Sequence, residues 1–338
     1  MIRILKILIM LSVLAALAIT AYGYVYINSA PGSLSEDVVV EIKRGSSFYA
    51  AANSLREKRV INSVRLFRIY AGLDGFQSKI KAGEYLVKPA MTAREIAAAL
   101  VKGDVIRHKI TIPEGYNLYQ IADLLEEKGI VLKNAFVEKA FDRQLMSRMG
   151  VEGVSFEGYL YPETYFFTKN MEAKDVIELM RAGSRDKFTR KLKDRSKEIG
   201  LSVHEVVILA SIIEKETANP DERPLISAVF HNRLKKKMRL QTDPTVIYGM
   251  WETYDGNIRK KDLFKKTPYN TYRISGLPLG PIANPGIDSI MAALYPADVG
   301  YIYFVSMNNG SHIFSRTLKE HNKGVWKYQK RQKNKGQL

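Results

Sequence analysis

The hydrophobic pattern is most pronounced at the N-terminus. Residues 7–27 contain no charged side chain and consist mostly of Leu, Ile, Val and Ala. At 1.5 Å per residue, a helix of this length spans about 30 Å, the thickness of a bilayer's hydrocarbon core. A cleaved signal peptide is the alternative, but its apolar region normally runs only about 7–15 residues. The pattern therefore predicts an uncleaved transmembrane helix over residues 7–27.

Charges on either side of this segment predict its orientation. Arg3 and Lys6 precede it, whereas Glu36 and Asp37 follow a polar linker over residues 28–36. Because positively charged flanks stay in the cytoplasm, residues 1–6 are expected inside and everything after residue 28 outside. We therefore expect a single-pass protein of the inner (plasma) membrane, with most of the chain extracytoplasmic.

The exported part begins with a pattern of strand, helix, helix and strand. Residues 38–43 are rich in β-branched side chains, which favours a strand, and residues 83–87 favour a second one. Between them, Ser46 and Asn62 are predicted to cap two helices with apolar residues at helical spacing. This β-α-α-β order resembles a LysM domain, a small module that binds glycans containing N-acetylglucosamine. We assign residues 37–103 to a LysM-like module.

The strand-turn-helix pattern occurs twice. An offset of 70 residues places residues 40–67 on residues 110–137 with seven identities, among them Tyr49 with Tyr119. We call these segments the first and second repeats. The second repeat has no evident closing strand and leads into helical sequence. Residues 104–155 are therefore assigned to the second repeat and its connecting helices.

From residue 156 onward, loop-forming and aromatic residues become dense. Tyr, Pro, Gly and Asn are concentrated in residues 156–165, 239–248, 268–272 and 276–286. Loops that are both polar and aromatic favour a binding groove, and tyrosine faces with amide and hydroxyl groups suit a carbohydrate. Taken singly, each tyrosine is as well explained by packing within an ordered loop.

One helix in this region carries candidate acid–base chemistry. Residues 206–213 are apolar all round except Ser211, which predicts a buried helix. Asn219 precedes Pro220 and is disfavoured in helical geometry, so the helix should end near residue 217 or 218. Glu214 and Glu216 then lie in its last turn and point in different directions, about 200° apart.

Position distinguishes the two carboxylates only in part. A general acid must be protonated near neutral pH, and both desolvation and the negative end of a helix dipole raise a carboxyl pKa. Glu216 is nearer the helix end and is favoured on this ground. Glu214 shares a face with buried residues and fits a structural acid, although the physical argument leaves either carboxylate open as the acid.

Composition excludes several function classes. The chain has 338 residues, 46% of them hydrophobic, which excludes a disordered chain. It has no cysteine, so disulfides, thiolate zinc sites, iron–sulfur clusters and cysteine nucleophiles are excluded, and no metal site is expected from its five histidines. The net charge of +17 favours anionic lipid and cell-wall polymers rather than nucleic acid as partners outside the membrane. The lysine-rich runs at residues 235–237 and 327–335 are interpreted as solvated surface.

Several segments together resemble one family. They are residues 157–165, 209–217, 229–234, 240–249, 269–272, 276–286 and 301–305, with Gly310, His312, His321 and Asn322. They resemble the YceG-like family of endolytic murein transglycosylases, in the order of anchor, LysM-like module and a catalytic domain over residues 156–338. The implied fold class is α+β.

The resemblance also implies a reaction and a site. The enzyme would be a lyase that cleaves the β-1,4 bond between N-acetylmuramic acid and N-acetylglucosamine without water and without a cofactor. Its products would carry 1,6-anhydro ends, and its partners would be peptidoglycan glycan strands, the inner membrane and, as candidates, peptidoglycan synthases. Glu216 is the implied catalytic residue. The expected substrate-binding residues are Glu157, Tyr165, Glu214, Asn232, Gln241, Thr242, Asp243, Tyr248, Tyr269, Asn270, Tyr272, Asn284 and His312.

Two other functions are alternatives. One is a non-catalytic scaffold that binds peptidoglycan, which would be expected to lack the acidic motif at residues 214–217. The other is a hydrolytic muramidase with paired carboxylates, in which Asp243 or Glu157 would act as the base for water.

Overall fold

The computed structural model describes residues 2–330, and it divides into two compact units. The first unit comprises residues 1–109 and 166–171, and the second comprises residues 110–165 and 172–338. Among the described residues, helices predominate and the strands form three two-stranded sheets. The expected α+β class is therefore confirmed as a mixed helix and strand fold.

The N-terminal helix α1 (Ile2–Asn28) is long and apolar enough to cross a membrane, and no other helix in residues 2–330 is. Its side chains are exposed until Tyr26, which is 7% exposed and donates a hydrogen bond from its hydroxyl to Ser63 O (3.3 Å). Tyr22 and Tyr24 remain exposed. Tyr26, unlike Tyr22 and Tyr24, thus packs into the core of the first unit.

The β-α-α-β order predicted for the first unit is confirmed. The antiparallel strands β1 (Val38–Ile42) and β2 (Gly83–Val87) flank two helices in the sequence, and Val40 pairs with Tyr85. A further helix, α4 (Ala93–Lys102), begins with a capping box of Thr92 and Glu95. The helices begin one residue later than predicted, at the caps Ser47 and Ser63. The bounds are β1 (Val38–Ile42), α2 (Phe48–Glu57), α3 (Val64–Leu73), β2 (Gly83–Val87) and α4 (Ala93–Lys102).

This unit has a core of its own. Phe67 is fully buried, stacks on Phe48 at 5.8 Å and meets Phe76 edge-on at 5.9 Å between ring centroids. The buried cluster extends from Tyr26 to Leu100, so it includes α4 as well as the four predicted elements.

The second repeat has a closing strand that the sequence pattern did not predict. The elements are β3 (His108–Thr111), α5 (Leu118–Glu127), α6 (Lys133–Ala140), α7 (Arg143–Arg148) and β4 (Thr164–Phe167). In the second unit, Ile112 N donates to Glu163 O (2.9 Å) and the hydroxyls of Thr111 and Thr164 are 2.8 Å apart. The expectation of no closing strand was wrong, because β4 is short and follows an extra helix and a turn-rich segment.

The remaining elements of the second unit surround one buried helix, α10. Their bounds are α8 (Ala173–Lys187), α9 (Arg190–Glu198), α10 (Val203–Glu216), α11 (Arg223–Lys235), α12 (Asp243–Gly249), α13 (Ile287–Leu294), β5 (Tyr303–Ser306), β6 (His312–Ser315), α14 (Leu318–Val325), a π-helical turn (Trp326–Lys330) and the 3₁₀ helices Pro220–Glu222, Trp251–Thr253 and Asp262–Phe264. Helix α10 packs against α9, α11, α12 and α13. Residues 235–237 are exposed, as expected, whereas the end of the second basic run lies outside the described residues.

Candidate active site

The buried helix α10 ends where the sequence predicts. Its residues 206–213 are buried, it stops at Glu216, and Thr217 has left helical geometry with φ −147°. The buried Ser211 hydroxyl donates to Ile208 O (2.7 Å) and accepts from Ile282 N (3.0 Å). This polar residue in the apolar helix therefore attaches the loop of residues 276–286 to α10.

Glu216 lines a cavity of about 510 Å³ in the second unit. Four of the substrate-binding residues expected from the sequence line the same cavity: Gln241, Asp243, Tyr272 and His312. Arg233, Tyr303 and His321 also line this cavity; they lie in segments that resemble the family but were not among the expected site residues. They come from α11, β5 and α14, which are separated from α10 in the sequence and meet only in the folded chain.

The environment of Glu216 favours a protonated carboxyl near neutral pH. Burial raises its pKa to about 7, and the negative charge of Asp243 acts in the same direction. A hydrogen bond from the Thr242 hydroxyl to Glu216 Oε1 opposes this shift, as do the charges of His312 and Arg233. Desolvation is the largest effect, so the carboxyl can donate a proton at neutral pH.

Three buried threonines hold the segment that contacts Glu216. Thr242 N donates to the Thr271 hydroxyl (3.0 Å), and the Thr245 hydroxyl lies 2.8 Å from that of Thr271. The preceding Gln241 has φ 49°, a left-handed backbone that a non-glycine residue adopts at a cost of order 1–3 kcal/mol. The threonine cluster offsets that cost and directs the Thr242 hydroxyl at the acid.

Two other cavity residues have fixed hydrogen-bond partners. His312 Nδ1 lies 2.6 Å from Glu222 Oε2, and the His312 backbone N–H donates to Glu222 Oε1 (2.8 Å). The Tyr272 hydroxyl donates to Asp243 Oδ1 (2.7 Å). Glu222 was not predicted as a site residue, because an acidic residue shortly after Pro220 is typical of a turn.

Helix α11 contributes positioning contacts through adjacent residues. The buried Arg233 donates from Nε to Ile302 O (2.7 Å) and from Nη1 to Leu240 O (2.7 Å), and its guanidinium lies 5.3 Å from the Tyr303 ring centroid. Asn232, which we expected to bind substrate, instead donates to the Val299 and Tyr301 carbonyls. These contacts tie the strand that contains Tyr303 to α11.

Glu157 lies in a second, buried cluster outside the lining of this cavity. It is fully buried and accepts hydrogen bonds from Leu118 N (3.0 Å), Asn284 Nδ2 (2.9 Å) and the Tyr248 hydroxyl. Asn284 also accepts from Leu160 N (2.9 Å). Burial raises the pKa of Glu157 to about 8. Three of the expected site residues, Glu157, Tyr248 and Asn284, thus join α5 and α12 to the loops of residues 156–165 and 276–286.

The other expected residues also have structural partners away from the Glu216 cavity. The Tyr165 hydroxyl donates to Tyr161 O (2.7 Å), and Asn270 Nδ2 donates to Lys265 O (2.7 Å). Tyr269 packs edge-on against Tyr248 with 4.8 Å between ring centroids. None of these three residues lines the Glu216 cavity.

Glu214 faces another part of the unit. Its Oε2 accepts from Gly286 N (3.0 Å), and its Oε1 lies 3.7 Å from Nη2 of the buried Arg223. Glu214 therefore holds the start of α13, while Glu216, two residues on, contacts the cavity. The geometry agrees with the different directions expected from their spacing.

We expect Glu214→Gln to reduce stability more than rate. The neutral amide loses the charge that faces Arg223, and the disturbed pair should cost about 1–3 kcal/mol of unfolding free energy. Thermal melts and glycan-cleavage rates of the wild type and the variant would be compared. A variant that melts like the wild type but does not cleave would contradict this assignment.

The chain belongs to the YceG-like family, whose family model matches residues 40–327. It is 35% identical over 326 residues to the endolytic murein transglycosylase of Bacillus subtilis strain 168, covering 91% of this chain and 89% of that protein. It is 27% identical over 351 residues to the endolytic murein transglycosylase of Streptococcus pneumoniae strain D39, covering 94% of this chain and 63% of that protein. The crystal structure of a YceG-like protein from Listeria monocytogenes matches with a TM-score of 0.58 and 37% identity, over 85% of this chain and 99% of that chain.

Proposed function

We propose that this protein is an endolytic murein transglycosylase and that Glu216 is its catalytic residue. Its similarity to relatives of that name supports the activity. The observation that carries the residue assignment is a carboxyl with a pKa of about 7 in the wall of a cavity of about 510 Å³. Such a pKa lets one group donate a proton and then accept one at neutral pH.

The proposed reaction needs one carboxyl in two successive roles. Protonated Glu216 donates its proton to the glycosidic oxygen as the bond from C1 of N-acetylmuramic acid to that oxygen breaks. The C6 hydroxyl of the same sugar then bonds to C1, and its proton passes to the Glu216 carboxylate. The products are a free 4-hydroxyl on N-acetylglucosamine and a 1,6-anhydro end, and the acid is regenerated without water.

The Thr242 hydroxyl supports this sequence of steps. It donates to Oε1 of Glu216, which fixes the carboxyl orientation and stabilises its charged form after the proton has left. Arg233 and His312 favour the same charged form electrostatically. Burial and the Asp243 charge favour the neutral form, so neither protonation state is strongly disfavoured.

Product analysis tests the function against hydrolysis. Asp243 lines the same cavity and its Oδ1 is bound by the Tyr272 hydroxyl, so a water-activating base is the alternative role to exclude. Purified glycan strands would be digested and the products weighed by mass spectrometry. Anhydro ends, lighter by one water than reducing ends, are the expected result; reducing ends alone would replace the proposal with a muramidase.

We propose that α1 anchors the enzyme with its N-terminus in the cytoplasm and both units outside. Arg3 and Lys6 before the apolar span support this orientation. The enzyme would then act on nascent glycan strands at the membrane and end their elongation, with peptidoglycan synthases as partners that supply those strands.

Protease accessibility is expected to show this topology. In cells with a permeabilised envelope and an intact inner membrane, added protease should digest the chain after about residue 28. A cytoplasmic protein serves as the control for membrane integrity. If the second unit and the cytoplasmic control both resisted the protease, the second unit would lie in the cytoplasm and the proposed orientation would be wrong.

We propose that the β-α-α-β part of the first unit is a LysM-like glycan-binding module. Its element order and its separate core, which runs from Tyr26 to Leu100, support this. A fragment of residues 29–109 includes α4 and nearly all of that core. Titration with N-acetylglucosamine oligomers should shift its NMR resonances, with weak affinity. If no resonance shifted at millimolar ligand, the module would not bind glycan and would act only as a spacer.

A further inference from the structure

A second cavity of about 370 Å³ lies in the second unit, and aromatic rings dominate its lining. We call it the aromatic cavity; its aromatic residues are Tyr119, Phe141, Tyr248, Trp251 and Tyr269. Tyr119 and Trp251 are stacked, with 6.2 Å between ring centroids and 13° between planes. Both are only partly buried, and Phe141 is 39% exposed. Tyr119, Trp251 and Phe141 therefore present aromatic surface to solvent, whereas Tyr248 is buried.

Polar groups accompany these rings. Glu252, Thr253 and Lys265 line the same cavity, and Glu252 and Lys265 are exposed. Flat apolar faces beside charged and hydroxyl groups suit a ligand with apolar faces and polar edges. A pyranose ring has this character, because its C–H groups form two faces and its hydroxyl and N-acetyl groups form its edge.

The aromatic cavity lies close to the Glu216 cavity, because the same two segments line both. Helix α12 begins with Asp243 in the Glu216 cavity and ends with Gly249 in the aromatic cavity. These six residue steps rise about 9 Å. Tyr269 lines the aromatic cavity and Tyr272 the Glu216 cavity, and three residues of chain span at most about 11 Å. A short oligosaccharide could therefore contact both.

The second repeat supplies one wall of the aromatic cavity. Tyr119 lies in the first turn of α5 and aligns with Tyr49, which lies in α2 and lines a cavity of the first unit. Around Tyr49 that cavity contains Arg56, Arg65 and Arg68, whereas around Tyr119 the second repeat meets Trp251 and Tyr269. The stacked aromatic pair is thus a feature of the second repeat alone.

We propose that the aromatic cavity is a distal carbohydrate subsite, which stacks an N-acetylated sugar of the same glycan strand a few units from the bond cleaved at Glu216. The inference rests on the proposed function and extends it. A sugar bound away from the scissile bond lets the enzyme bind within a glycan strand. The separation of the two sites then sets the distance between the bound sugar and the cleaved bond.

The test uses the full-length protein with Glu216→Gln, so that binding is measured without cleavage. The matched variants are Trp251→Ala, Trp251→Phe and, as the control, Trp326→Ala, because Trp326 is the other tryptophan and is 59% exposed. Ligands are peptidoglycan glycan oligomers of defined length. Calorimetry should show that Trp251→Ala weakens binding of long oligomers about 3- to 10-fold, while Trp251→Phe and Trp326→Ala retain it.

Length dependence distinguishes a distal subsite from a structural role. Disaccharide binding should be the same in Trp251→Ala and the control, and melts should show that all variants are folded. In the active enzyme, Trp251→Ala should raise KM for long strands with little change in kcat and should broaden the product lengths. Equal binding of every oligomer by Trp251→Ala and Trp326→Ala would overturn the proposal, and so would equal weakening at every length.

Fluorescence separates this proposal from the proposed function. In Trp326→Phe, Trp251 is the sole tryptophan, so its emission reports directly on the aromatic cavity. Anhydro products with an emission unchanged by long oligomers would overturn the subsite and keep the transglycosylase. A change in emission without any cleavage by the wild type would support the subsite and remove the transglycosylase.

Discussion

Glu216→Gln is expected to lower the rate of glycan cleavage by about 10⁴-fold or more, the upper end of what one acid–base residue contributes. The amide is nearly isosteric with the carboxyl and can still accept the hydrogen bond from Thr242, so the fold should persist. It can neither donate the proton nor take it back. In the proposed mechanism this single group acts first as the acid and then as the base, so no other residue would take over either role.

Digestion of purified glycan strands, scored for 1,6-anhydro ends beside thermal melts, measures this loss. Glu214→Gln is the matched control, because it makes the same chemical change two residues away on a carboxylate held by Gly286 and Arg223. Near wild-type cleavage by Glu216→Gln, together with a folded and inactive Glu214→Gln, would exchange the two roles. If both variants cleaved normally, Asp243 would become the first candidate, because it lines the same cavity.

The pH profile should depend on the same group. Since burial raises the Glu216 pKa to about 7, the fraction of protonated acid and hence kcat/KM should fall as the pH rises through about 7. Asp243→Asn removes a negative charge that helps to raise this pKa, so the falling limb should move to lower pH. An alkaline limb that stays in place in Asp243→Asn would show that another group titrates there.

Glu157→Ala is expected to destabilise the second unit more than Glu214→Gln does. It removes a fully buried acceptor, so Leu118 N and the Tyr248 hydroxyl lose the partner that Glu157 provides, whereas Asn284 Nδ2 keeps its bond to Tyr116 O. Each unsatisfied buried group costs about 1–3 kcal/mol, so the total should be about 2–6 kcal/mol. At about 2–4 °C per kcal/mol, melting should fall by about 4–24 °C. Glu152→Ala, at an exposed position nearby, is the control and should melt within about 0.5 kcal/mol of the wild type.

The destabilisation should depend on pH with a definite sign. The Glu157 pKa is raised from 4.5 to about 8, so its contribution is fully present below about pH 4.5 and is lost as the pH rises through about 8. The difference in melting temperature between the wild type and Glu157→Ala should therefore be largest in acid, shrink as the pH rises from about 4.5 to about 8, and level off above that pH. A constant difference across this range would mean that folding does not raise the pKa of Glu157. If Glu157→Ala were as stable as the wild type but did not cleave glycan, the result would instead favour the substrate-binding role that the sequence predicted for Glu157.

Much of the local structure could be predicted because it depends on neighbours in the sequence. The apolar span of α1 and the β-branched residues of β1 are such patterns. The apolar run of α10, which only Ser211 interrupts, and Pro220 after it also predicted where the helix ends, and with it the divergence of Glu214 and Glu216. The strand β4 was missed because four residues in a turn-rich segment carry too little periodicity, and its pairing partner lies more than fifty residues earlier.

The candidate site was only partly predictable, since its parts come from distant segments. The sequence by itself determined the apolar N-terminal helix, the β-α-α-β order, the buried helix and the carboxylates at its end, each of which follows from residues within a few turns. Only the tertiary structure decided that Thr242 contacts Glu216, that Glu222 holds His312 and that Glu157 is buried. It also brought Tyr119 onto Trp251, 132 positions further along the chain. The physical reason is that desolvation and long-range hydrogen bonds, which set the pKa and the role of each carboxyl, depend on side chains brought together by folding and not on sequence neighbours.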